Sequence, residues 1–383
     1  MTSPPQNDAS YAAAGVDYEA LDAGKRDALT EALATSGLLL AHGGRAVDAS
    51  RGEPAFVFEL AGQTLAFVLE GLGTKSMIAR AVAEELGVNR FADVAYDTVA
   101  AIVNDLCCVG AQPLVVNAYF ATGASSWYDH QERRGALLAG WRQACEDAGA
   151  TWGGGESPSL PALVDPEEIE LAGSAVGVVP AGHAAVLGQD LAAGDEIVIV
   201  RSTGLHANGS SLARLLAGRL EGGYATALPG GRSFGEALLD HAPVYSSLVA
   251  ALLREGVGMH YLSHITGHGL LKLMRPSRDF TYRITSLPPV PEVLAFMVEQ
   301  AGMDASAAHS TFNMGCGFAV YCAGGDGARV VALAAAAGLP AEVAGQVEDG
   351  PRRVLLEPVG VTYETADMDL TPGVPAAANR SAR

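Results

Sequence analysis

Apolar positions along the chain follow two alternating rhythms. Residues 55–60 and 65–69 are short apolar runs separated by Ala61-Gly62-Gln63-Thr64, which predicts a β-hairpin. A glycine-bearing stretch at Gly71 then opens a helix, and a longer helix is expected over 91–109. Residues 114–121 read as a strand. Leu137, Trp141, Cys145 and Ala148 recur at helical spacing up to a stop at Gly149, and 171–179 read as another strand. A second series follows: a strand at 196–202, helices at 210–220 and 238–253, a strand at 317–322, a helix at 330–338 and a closing strand at 353–356. Residues 180–195 form the natural hinge. The expected fold class is α/β (mixed α+β) with two domains, 11–180 and 181–364, between loose tails at 1–10 and 365–383.

With 49% hydrophobic and 17% charged residues among 383, the chain has the composition of a folded, core-forming protein. No apolar run approaches the roughly 18 residues of a membrane span. The opening MTSPPQNDAS lacks a basic stretch followed by an apolar one, so a cytoplasmic location and no membrane partner are expected. The formal charge is −19 and the lysines are Lys25, Lys75 and Lys272. Such a surface repels phosphate backbones, which argues against nucleic acid. A small polyanionic substrate would need metal ions and backbone donors to offset that field. Cys107, Cys108, Cys145, Cys316 and Cys322 are odd in number and form no CxxC pair, and they read as buried reduced thiols.

Several segments could carry chemistry. Glu70-Gly71-Leu72-Gly73-Thr74-Lys75 follows a strand and opens a helix. Its glycines allow close backbone approach, free amides at a helix start suit phosphate oxygens, and Glu70 wants a cation. An ordinary turn with a surface lysine fits the same residues. Asp97 and Asn104 are two helical turns apart, on nearly one face, with Asp105 one step round in an apolar stretch. Acids in such a setting are costly unless paired or metal-bound, although a cap or salt bridge would also satisfy Asp105. In Trp152-Gly153-Gly154-Gly155-Glu156 a glycine-rich turn presents one acid. Glu70, Asp97, Asp105 and Glu156 could together serve one or two magnesium ions on a triphosphate. His206 and Asn208 lie on a glycine-framed strand-to-helix loop, where His206 could be an acid, a base or a phosphate donor, or simply bond local backbone. His264-Ile265-Thr266-Gly267-His268-Gly269 precedes Lys272 as another possible anion-binding helix start. Thr311-Phe312-Asn313-Met314-Gly315 reads as a tight turn into a core strand.

The order of these segments carries a resemblance. GLGTK, VNDLCCVGAQPL, GGGES, LAGSAVGVV, TGLHANGSSL, HITGHG and TFNMGCGF, after an opening Tyr11-Ala12-Ala13-Ala14-Gly15-Val16-Asp17, are similar to the aminoimidazole ribonucleotide synthetase family over roughly residues 11–356. The resemblance implies an N-terminal α/β domain whose strands pair with a second subunit in a homodimer, and a larger C-terminal α/β domain. It implies ATP and Mg2+ as cofactors and a small phosphorylated substrate, formylglycinamidine ribonucleotide, closed to an imidazole through phosphorylation of its formyl oxygen. By position, Glu70, Asp105 and Glu156 would hold the metal and Asp97 would support them. Gly71, Gly73, Thr74, Lys75, Asn104, Gly154 and Gly155 would complete the nucleotide site, with His206, Asn208 and Lys75 as catalytic candidates. The chain departs from the family at Glu70 (an aspartate there), Ala207 (a serine), His268 (a glycine), the shortened His42-Gly43-Gly44 loop and Ser157-Pro158-Ser159-Leu160. These departures leave open a paralogue of the same superfamily acting on another small substrate, or a catalytically weak nucleotide-binding paralogue.

Overall fold

The computed structural model describes residues 18–368. The opening segment Tyr11 to Asp17 and the extreme tails lie outside the described residues. Two sheets organise the chain. The first contains β1 (Gly44–Ala46), β2 (Phe56–Leu60), β3 (Gln63–Gly71), β4 (Gln112–Thr122), β5 (Thr151–Glu156) and β6 (Ile169–Val179), in the order β1-β2-β3-β6-β4-β5. Its helices are α1 (Tyr18–Ala34), α2 (Lys75–Leu86), α3 (Phe91–Cys107) and α4 (Gln131–Ala148). The predicted hairpin is present, with Ala61 and Gly62 both at positive φ (50° and 77°), as a two-residue turn between twisted strands requires. Gly149, at φ 70°, caps α4 where the helical spacing stopped.

The second sheet contains β7 (Glu196–Arg201), β8 (Met259–His264), β9 (Phe280–Ile284), β10 (Cys316–Cys322), β11 (Ala341–Asp349), β12 (Arg353–Leu356) and β13 (Val361–Glu364), in the order β13-β12-β9-β11-β7-β10-β8. The helices of this half are α5 (Ser210–Ala217), α6 (Phe234–Leu238), α7 (Ser246–Arg254), α8 (Glu292–Ala301), α9 (Ala305–Thr311) and α10 (Gly327–Ala336). Leu212, Phe234 and Leu294 of the second half share one apolar core with Ile78 and Val99 of the first, so the halves are joined by packing as well as by residues 180–195. All five cysteines are buried and unpaired.

Two expectations are corrected. The single helix over 238–253 is two helices, because Pro243 has no N–H to donate and Leu239 to Tyr245 leave the helix to pair with α3 instead. The glycine turn at 152–156 is an edge strand, β5, running parallel to β4 with an irregularity at Gly154. A Cβ on Gly155 would overlap the Ala118 carbonyl oxygen, so the glycine serves close strand approach.

Candidate active site

The end of β3 and the start of α2 place the glycine motif at the junction of the halves. Gly73 sits at φ 70°, where glycine is favoured. Thr74 Oγ1 lies 3.1 Å from Ser211 Oγ of α5. Lys75, which opens α2, is fully buried and ion-paired with Asp97 of α3. Asp97 Oδ1 also accepts the Ala242 N–H at 2.6 Å. Two turns along the same face, Asn104 Oδ1 accepts the Tyr245 N–H at 2.9 Å and its amide donates to the Pro243 carbonyl at 2.9 Å. Asp97 and Asn104 thus share a face as their spacing indicated, and that face holds the 242–245 segment of the second half.

Asp105, one residue on, faces elsewhere. Its Oδ1 lies 2.8 Å from His264 Nδ1 at the end of β8. Glu70 is hydrogen-bonded to Asp105, and burial followed by the Asp105 charge pushes the Glu70 carboxyl up to about 7. Burial works against charging Asp105 too, but His264, Lys272 and Arg275 outweigh it and hold that carboxyl below its ordinary range. The pair therefore shares one proton, carried on Glu70. Lys272 bonds Thr266 Oγ1 and lies 3.4 Å from the His264 carbonyl. Burial, then Arg275, pulls its ammonium down to about 8.

The His206 loop is fixed by its neighbours. Asn313 Oδ1 accepts from Ser202 Oγ (2.7 Å) and the Gly315 N–H (3.0 Å), and its amide donates to the Gly204 carbonyl (2.8 Å). His206 is buried, with φ 60°, and burial followed by the nearby His264 holds its imidazole well below the usual range. The Thr203 N–H points to Nε2 at 3.2 Å, while Nδ1 is buried with no partner. Together with Asn208, Thr266, Phe312 and Asn313 it lines a narrow cleft. Among the described residues, five that are not glycine have positive φ, and His206, His268 and Met314 of these motifs are three of them. Concentration of such backbone at one place marks a site whose geometry is fixed against local preference.

Protein-family models for AIR synthase related protein match both halves, the N-terminal domain over 52–179 and the C-terminal domain over 192–356. A phosphoribosylformylglycinamidine cyclo-ligase of Anaeromyxobacter sp. (strain Fw109-5) is 37% identical over 300 residues, covering 76% of this chain and 82% of the relative. The chain belongs to the AIR synthase related family. A cyclo-ligase of the same description from Methanothermobacter thermautotrophicus is 32% identical over 295 residues, with the same coverage. Among solved structures, the hydrogenase maturation protein HypE in complex with ATP superposes with a TM-score of 0.56 at 17% identity, covering 78% of this chain and 83% of that one, which shows the shared fold.

Within this AIR synthase related chain the sequence-predicted acids do not all converge. Glu70 pairs across the sheet with Gly173, then Ala118 and Gly155, whereas Glu156 pairs with Tyr119, then Ala172 and Gly71. Side chains alternate along strands, so Glu156 projects from the opposite face to Glu70, three strand spacings or about 14 Å away. Glu156 is exposed, and its Oε1 accepts the Ser157 N–H at 3.2 Å. Among the described residues no three His, Cys, Asp or Glu side chains gather as a metal cage. Glu70 and Asp105 alone, sharing a proton that a cation can replace, fit a magnesium held by two carboxylates plus phosphate oxygens and water.

The sequence reading passed over Glu170. It lies on β6, takes the Gly73 N–H and is pushed up by burial. Its signal was a lone acid opening an apolar strand. His264, Lys272 and Arg275 belonged to a segment that was noted, but their partnership with Asp105 spans at least 159 residues and had no local signature.

Proposed function

We infer that this protein closes the imidazole ring of aminoimidazole ribonucleotide, consuming ATP and formylglycinamidine ribonucleotide. What carries the reading is the relative of that name, 37% identical along 82% of its length. The γ-phosphoryl group of ATP passes to the formyl oxygen, the amidine nitrogen forms a C–N bond to the formyl carbon, and phosphate leaves from that carbon; ADP, phosphate and one proton are the other products. The chain's part is positioning and charge stabilisation, as in phosphoryl transfer generally. The Gly71 to Thr74 turn opens α2 toward phosphate oxygens. Glu70 and Asp105 would hold Mg2+, which when bound neutralises phosphate charge. His206 stays uncharged in its buried loop and offers Nδ1 to the reacting amide, with Asn208 beside it.

The first sheet supports a homodimer. Its outward face leaves Phe67, Leu69, Leu114, Val115 and Tyr119 exposed, an apolar surface that a second copy would cover. No helix among the described residues is long and apolar enough to cross a membrane. The deciding experiment incubates the purified protein with formylglycinamidine ribonucleotide, ATP and Mg2+ and measures the imidazole product. ADP release that depends on the ribonucleotide and equals product formation is expected. Folded protein that binds ATP but forms no imidazole would transfer the assignment to another substrate of the superfamily.

A further inference from the structure

Two buried histidines meet at the cleft with opposite hydrogen-bonding character. The Thr203 N–H donates to His206 Nε2, so the proton of that uncharged ring is on Nδ1, which is a donor without a partner. Thr203 Oγ1 does not change this, because its own proton goes to the His241 carbonyl at 2.6 Å. His264 is set the other way. Its Nδ1 faces the Asp105 carboxylate at 2.8 Å, and a carboxylate only accepts, so Nδ1 carries the hydrogen. Nε2 of the uncharged His264 ring is then an acceptor, and it too is buried with no partner. The rings are close enough for their charges to interact. Ile265 and Thr266, which follow His264, line the cleft with His206. Buried polar atoms are almost always satisfied, so two complementary orphans beside one cleft point to a ligand.

We propose that His264 contacts the acceptor substrate directly: Nε2 accepts an N–H of an amide or amidine group whose oxygen or imino nitrogen receives the His206 Nδ1–H. The proposal rests on the cyclo-ligase reading for the substrate named, and it makes Asp105 the residue that orients His264.

The test separates the two ring nitrogens. Asparagine places its polar atoms near the position of Nδ1 and glutamine near that of Nε2. His264→Asn keeps a partner for Asp105 and loses the ligand contact, while His264→Gln does the reverse. Binding of formylglycinamidine ribonucleotide, without nucleotide, is measured by calorimetry, with Mg2+–AMPPCP as a separate titrant. His264→Asn should weaken the ribonucleotide by about tenfold to a hundredfold, the cost of leaving a buried N–H unpaired. His264→Gln should recover most of that loss, and AMPPCP affinity should hold in both. Equal ribonucleotide affinity in all three proteins overturns the proposal, as does a loss confined to His264→Gln. If neither variant folds, wild-type protein labelled with 15N-histidine decides: an unprotonated imidazole nitrogen must shift on adding the ribonucleotide, and an unchanged spectrum overturns the contact. Wild-type protein that binds no ribonucleotide at all overturns the cyclo-ligase reading itself, a result distinct from failure of the His264 contact.

Discussion

The Lys75–Asp97 pair gives the sharpest test of what the glycine motif does. Both side chains have no solvent exposure, and Asp97 also holds the Ala242 N–H. Lys75→Met removes the cation and strands a buried carboxylate, a change that costs about 3–5 kcal/mol. Adding Asp97→Asn removes the stranded charge but keeps an oxygen for Ala242, so the double variant should recover about 2 kcal/mol or more of the single variant's loss. Urea unfolding followed by tryptophan fluorescence reads both values, and calorimetry with Mg2+–AMPPCP reads nucleotide affinity in parallel. A lysine that works by reaching phosphate predicts the converse: normal stability, weakened nucleotide and no benefit from the second substitution. If Lys75→Met unfolds at the wild-type urea midpoint, the assignment of Lys75 to internal pairing is refuted.

Three further outcomes follow from the same geometry. Glu70 has its pKa raised from 4.5 to about 7 in the folded protein, so its contribution to stability is complete below about 4.5 and is lost as pH rises toward 7. In EDTA, Glu70→Gln should therefore gain stability relative to wild type between pH 5 and pH 8; a constant difference across that range contradicts the shared proton. Glu156 makes one exposed local bond, so Glu156→Ala should leave stability within about 0.5 kcal/mol of wild type. If phosphates reach it, turnover falls by about a hundredfold or more, and intact turnover removes it from the site. Leu69→Glu on the uncovered sheet face should yield monomers in sedimentation velocity where wild type gives dimers, and a wild-type monomer disposes of the sheet-pairing proposal.

Local patterns were legible where the chain answers to its own neighbours. The hairpin at Ala61-Gly62, the long α3 and the stop at Gly149 each follow from turn chemistry or periodicity within a few residues. The break at Leu239 to Tyr245 was hidden because apolar spacing continues through it, and only the demand of Asp97 and Asn104 for backbone partners explains it. β5 was hidden because three consecutive glycines signal a turn, whereas here they let two strands approach closely. In the site, residue types were informative and partners were not. Asp97 and Asn104 share a face as read, but whether that face meets a ligand or polypeptide depends on how the halves dock. Glu70 and Glu156 looked equivalent until strand register put them on opposite sides of one sheet.

The attachment of residues 242–245 to α3 constrains how such proteins can be recombined. A chimaera that takes its second half from a relative must supply backbone donors matching Asp97 and Asn104, or it leaves two buried acceptors and the carbonyl of Pro243 without partners. The workable crossover therefore does not lie in the connecting segment 180–195 alone. It has to carry α3 together with the turn it grips, as one inherited unit.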